Sequence, residues 1–109
     1  RQLLMLYTRV EDVDRARDRK VADIDGQISI ARGNLLSTNS LRADLQGQAA
    51  AHERAGRAVP AQLLKQIEDA TVDEQRLQQQ IANYLKRKTE TKQAFALDKQ
   101  RVTELLLKK

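Results

Sequence analysis

The stretch Ala55-Gly56-Arg57-Ala58-Val59-Pro60-Ala61 decides the fold, because one very long helical pattern stops there and a second begins. Gly56 has no Cβ and can take the left-handed conformation that closes a helix C-terminus. Pro60, the only proline, has φ fixed near the helical value but lacks the N–H that a helix interior needs. It suits the first position of a new helix. Val59, which precedes it, is pushed toward an extended conformation. So short a connection between such long elements makes them antiparallel neighbours. One continuous helix kinked at Pro60 is the competing reading, but Gly56 and Pro60 together break a helix more thoroughly than either alone.

Working outward from this turn, taken as residues 56–60, a first arm reads from about residue 3 to 55 and a second from about 60 to 107. In the first arm apolar residues recur at alternating steps of three and four: Leu3, Tyr7, Val10, Val21, Ile24, Ile28, Ala31, Leu35, Leu45 and Ala49. That is the spacing of one helix face repeated every heptad. The second arm repeats it with Leu63, Ile67, Ala70, Leu77, Ile81, Tyr84, Phe95, Val102 and Leu105. The expected architecture is all-α, a long antiparallel two-helix coiled-coil hairpin spanning residues 1–109 as a single domain.

The seam is interrupted by Asp14, Arg17, Thr38 and Arg42 on the first arm, with His52 near the turn, and by Glu74, Lys88, Thr91 and Asp98 on the second. Folding the chain back about residue 58 brings Arg42 opposite Glu74 and Arg17 opposite Asp98. Two charged pairs in an apolar seam can fix register, since a slipped alignment would strand a charge among apolar neighbours. Long side chains that reach past the seam to solvent are the plainer alternative.

A second stripe runs along the first arm on the side away from the seam. Ala22, Gly26, Ser29, Gly33, Leu36, Ser40, Ala43, Gly47 and Ala50 follow steps of four and three, and nearly all are small. A glycine inside a helix costs about 1 kcal/mol relative to Ala, so three at this spacing invite an explanation. Either the face is solvated and happens to be small, or it lets another helix backbone approach closely. Ile30, Leu36, Leu41, Leu64, Leu85 and Leu106 lie outside the seam and leave a lone hairpin with exposed apolar groups. Both features lead to the expectation of a homodimer, a four-helix assembly with the stripe used twice.

Composition limits what else the chain can be. Three of 109 residues are aromatic and 32% are charged, which excludes a large compact core. No segment alternates apolar and polar as a strand does. There is no cysteine, hence no disulfide framework and no thiolate metal site. No apolar run approaches the roughly 18 to 20 residues of a spanning helix, and no stretch reads as a signal peptide. A chain that starts at Arg1 and stops within helical sequence reads as a piece of a longer protein, from which targeting segments could have been removed.

Chemistry-bearing constellations are missing. His52 is the sole histidine, so there is no His pair for a metal and no His-based relay. Asp23 with Asp25, and Asp73 with Glu74, are not three or four apart and do not share a helix face. There is no glycine-rich phosphate loop after a strand. We therefore expect no catalytic residue, no cofactor, no metal and no small-molecule substrate; the protein reads as not an enzyme.

Charge is uneven along the chain. Residues 1–20 and 83–109 together hold fourteen basic and seven acidic side chains, whereas residues 21–82 hold six basic and eight acidic. In a hairpin the two basic segments lie side by side at the open end, with Lys86, Arg87, Lys88 and Lys92 as the densest patch. Such a patch attracts phosphate-rich surfaces. Without aromatic residues interleaved for base stacking, nucleic acid is a poor fit, and an anionic membrane surface stays open.

The run Leu3-Leu4-Met5-Leu6-Tyr7-Thr8, followed by Glu11-Asp12-Val13 and Ala16-Arg17-Asp18-Arg19-Lys20, with the Gly56 to Pro60 turn later, resembles uncharacterised proteobacterial envelope-associated helical-hairpin proteins. The resemblance implies no activity and no site residues, and it tilts localisation toward the bacterial cell envelope or periplasm. Taken together, the sequence leads to a non-enzymatic interaction module, a coiled-coil spacer or scaffold that self-associates or docks a partner helix. The alternative is a polyanion-binding module that uses the basic open end.

Overall fold

In a computed structural model, which describes residue 7 and residues 9–108, the chain folds as an all-α helical hairpin. Helix α1 is Val10–Arg54 and helix α2 is Ala61–Leu107, with no strand among the described residues. The chain reverses once, at the stretch on which the sequence reading turns.

Hydrogen bonding explains why α1 stops where it does. Gly56 has φ +69°, and the N–H of Arg57 donates to the carbonyl of His52 at 2.9 Å while the N–H of Gly56 donates to that of Glu53 at 3.0 Å. These are the paired six-to-one and five-to-two bonds of a Schellman motif, and they occupy carbonyls that the helix end leaves without partners. A residue with a Cβ would be strained at that φ. Pro60 sits one position earlier than the sequence suggests. Its carbonyl accepts the N–H groups of Leu63 at 3.0 Å and Leu64 at 3.1 Å, so it is the residue flanking the new helix, and Ala61 takes the first helical position.

The start of α1 also differs from the expected one. The sequence carries the helical pattern back to Leu3, which lies outside the described residues, whereas α1 begins at Val10. The N–H of Arg9 donates to Oδ2 of Asp12 at 3.1 Å, and the N–H of Asp12 donates back to the carbonyl of Arg9 at 3.1 Å. A carboxylate at the third helical position thereby satisfies a donor that lies ahead of the first turn. Glu11 and Asp12 also place negative charge at the positive end of the helix dipole.

Within the hairpin the chain divides into two compact units. One contains residues 29–82 with the turn, the other residues 1–28 and 83–109. In the turn unit Ala31, Leu45, Leu63, Ala70 and Leu77 are buried, and Ala49, Val59 and Ile67 pack against the cluster of Leu45, Leu63 and Ala70. Val59, just ahead of Pro60, thus closes the turn end of the core. In the unit that carries the chain termini, Val13, Ile24, Ile28 and Val102 are buried, Val13 at 1% exposure and Val102 at 0%.

Burial follows the three-and-four spacing on both helices. Every described seam position on α1 from Val10 to His52, and on α2 from Leu63 to Leu105, is buried or half-buried, including the polar ones. Val13 is the exception in the other direction. It lies one residue off the seam position Asp14, three residues after Val10 and four before Arg17, and is more buried than Asp14.

Candidate interaction surfaces

The outer stripe of α1 faces solvent. Ala22, Gly26, Ser29, Gly33, Leu36, Ser40, Ala43 and Gly47 are all exposed, and Ala50 is half-buried. A Cβ placed on Gly26, Gly33 or Gly47 would meet nothing within 4 Å, so nothing in the hairpin itself requires glycine there. Ile30 and Leu36 lie three residues either side of Gly33, one turn away on the same face, and are 68% and 69% exposed. Leu41, Leu64 and Leu85 are exposed as expected. Leu106 is instead half-buried, four residues on from the fully buried Val102 and so on the same face, while Leu107 is exposed. Val72 and Leu97 add exposed apolar surface that the stripe reading did not anticipate.

Of the two charged pairs expected across the seam, the structure brings one together. Nε of Arg42 donates to Oε2 of Glu74 at 2.7 Å, with both side chains partly buried. Arg17 and Asp98 do not meet. Arg17 instead donates from Nε to Oδ1 of Asp18 at 3.0 Å and lies 3.3 Å from Asp14. Both partners are on its own helix, one and three residues away, and are reached without crossing the seam. The cross-helix bond at that level is donated by Lys99, whose Nζ is 3.1 Å from each oxygen of Asp14, with the aligned hydrogen bond going to Oδ2. Lys99 lies beside the seam rather than on it, which is why spacing alone did not single it out.

The basic patch is partly spent within the fold. Nζ of Lys88 lies 2.7 Å from Oδ1 of Asp25 on α1, so its charge is neutralised at the seam edge. The Arg87 guanidinium stands 5.6 Å from the centroid of the Tyr84 ring, a cation–π distance. Lys86 and Lys92 remain exposed. Lys92 lines one open groove with Arg17, Asp18 and Val21, and Arg87 lines another with Lys20, Asp23, Ile24 and Gln27.

Compared with protein-family models, curated proteins and solved structures, nothing matches this chain. Most of the run that carries the envelope-protein resemblance, residues 1–6 and 8, lies outside the described residues. Among the described residues no group of three or more His, Cys, Asp or Glu is placed to hold a metal ion, and no helix is long and apolar enough to cross a membrane. His52 caps the turn with its carbonyl, and its buried Nδ1 has no hydrogen-bond partner. What these surfaces offer chemically is packing and charge.

Proposed function

We propose that the protein is a non-enzymatic interaction module, a helical hairpin whose seam packs as a coiled coil and whose α1 outer face pairs with a second copy or a partner helix. The carrying observation is the triplet Ile30, Gly33 and Leu36: two large, exposed apolar side chains flank a glycine whose missing Cβ leaves open space. Exposed pairs of this kind lose water contact when another helix covers them, at roughly 25 cal/mol per Å² of apolar area. The glycine lets that helix come close, as small residues do wherever backbones approach.

The arrangement is self-complementary about Gly33. A two-fold axis there sets Ile30 of one copy against Leu36 of the other, and Ser29, four residues before, against Ser37, four residues after. That is the form of an isologous interface, in which each contact occurs twice. A spacer or scaffold role within a larger assembly, in the bacterial envelope that the N-terminal run suggests, is the corresponding biological reading.

Sedimentation equilibrium of the wild type and of Gly33→Leu is the test. The wild type is expected to be dimeric and the variant mainly monomeric, although Leu is the better helix former, because its side chain wedges the two backbones apart. A monomeric wild type, or a variant that dimerises equally well, would remove this reading and leave the stripe a solvated face.

A further inference from the structure

Among the described residues of the unit formed by 1–28 and 83–109, buried side chains fall into two groups. Ile24 and Ile28 form one; Val13 and Val102, at 1% and 0% exposure, form the other. No residue from 14 to 23 or from 83 to 101 is buried. Nζ of Lys99 lies 3.1 Å from Asp14, which sets Val13, the residue before Asp14, and Val102, three residues after Lys99, at the same level of the helix pair.

The seam between the two groups is polar. It consists of Asp14, Arg17 and Val21 on α1 and Lys88, Thr91, Phe95 and Asp98 on α2, all half-buried and four of the seven charged. Arg17 turns to Asp14 and Asp18 on its own helix, and Asp98 forms no ion pair among the described residues. Two ion pairs cross between the helices, Lys88 with Asp25 and Lys99 with Asp14, and both are partly exposed. An open groove lined by Arg17, Asp18, Val21 and Lys92 lies between the helices at this level. Such a seam holds two helices together weakly, because stabilisation follows the apolar area removed from water and partly exposed ion pairs add little. Closure of this end therefore rests on Val13 and Val102, beyond the polar stretch.

We propose that Val13 and Val102 form a clasp, and that residues 10–23 of α1 and 88–107 of α2 open from each other as one unit while residues 29–82 stay folded. The turn unit needs no support from this end: it has its own core in Leu45, Leu63, Ala70 and Leu77, and its helices are joined by a short turn, so little chain entropy opposes their pairing. Opening uncovers Val13 and Val102 together with the half-buried Val21 and Phe95, so this end presents an apolar face only in its open form. Released from the pair, stretches this short are marginal helices in water, and their amides then exchange with solvent. The inference does not depend on whether α1 pairs with a second copy.

Hydrogen exchange of the full chain, followed residue by residue by NMR, tests it. Amides of residues 14–23 and 91–102 are expected to exchange at least about tenfold faster than those of residues 63–77, and to share one degree of protection. Leu77→Ala, in the turn unit, should speed exchange at residues 63–77 by about 30-fold or more. It should leave residues 14–23 and 91–102 within about twofold, because Leu77 stays packed in the open form. Val13→Ala should speed both sets, since local and global opening alike lose its burial. Leu77→Val, a smaller truncation, repeats the contrast if Leu77→Ala does not fold. Equal protection of the two sets in the wild type, equal acceleration of both by the Leu77 variants, or protection that climbs steadily from residue 14 to residue 23, as in fraying of a helix end, would overturn the proposal.

Discussion

Arg42 and Glu74 show how much a single charged pair can decide. Both side chains occupy seam positions, and the 2.7 Å contact joins residues 32 apart in sequence across the two helices. The pair is only partly buried, so it lies between exposed pairs, worth under about 1 kcal/mol, and buried ones whose disruption costs about 3 to 5 kcal/mol. Arg42→Leu is expected to cost about 1 to 2 kcal/mol in urea unfolding, because Glu74 is left without its partner. Adding Glu74→Leu should restore at least half of that loss, since two leucines suit the seam. If the two single changes simply add, the residues are not coupled and the pair does not hold the register. A second residue-scale prediction concerns Val13: truncation to Ala should cost about 2 kcal/mol, from lost burial and the cavity left behind. Val10→Ala, at a half-buried position, should cost clearly less.

At the scale of the element, the four glycines divide into two kinds. Gly56 has φ +69° and carries the Schellman bonds that end α1, so Gly56→Ala should destabilise the hairpin by about 1 kcal/mol or more. Gly26 lies within α1 with open space around a would-be Cβ, so in the unassociated hairpin, at low protein concentration, Gly26→Ala should stabilise by up to about 1 kcal/mol. Thermal melts of the two variants, followed at 222 nm, check the opposed signs. A loss at Gly26 would show that its missing Cβ is needed for a contact beyond the hairpin. The turn was legible in the residues because Gly and Pro act locally on the backbone. The placing of Pro60 just before α2, with Ala61 as the first helical residue, was not, since a one-residue difference depends on which carbonyl accepts the first bond.

For the whole molecule, α1 and α2 together require a chain that is overwhelmingly helical by circular dichroism, with at least 45 and 47 residues in the two helices. If copies associate as proposed, the melting temperature should also rise with protein concentration, because association stabilises only the folded form. A melting temperature constant over a hundredfold range of concentration would leave the hairpin monomeric. Gly33→Leu should abolish the concentration dependence while leaving helicity unchanged.

What the sequence determined by itself is whatever depends on local chemistry and on period. The three-and-four spacing set which faces of the two helices meet, Gly56 and Pro60 set where the chain reverses, and together these placed Arg42 against Glu74. What only the tertiary structure decided is where flexible charged side chains go. Lys99 rather than Arg17 bridges the helices near the chain termini, Lys88 is neutralised by Asp25, and Val13 turns inward beside Asp14. The reason is physical: a backbone turn or a helix face is fixed by a few neighbouring residues, whereas a lysine or arginine has several rotatable bonds and two or three carboxylates in reach. Which one it takes is settled by distances across the helix pair that no spacing along the chain encodes.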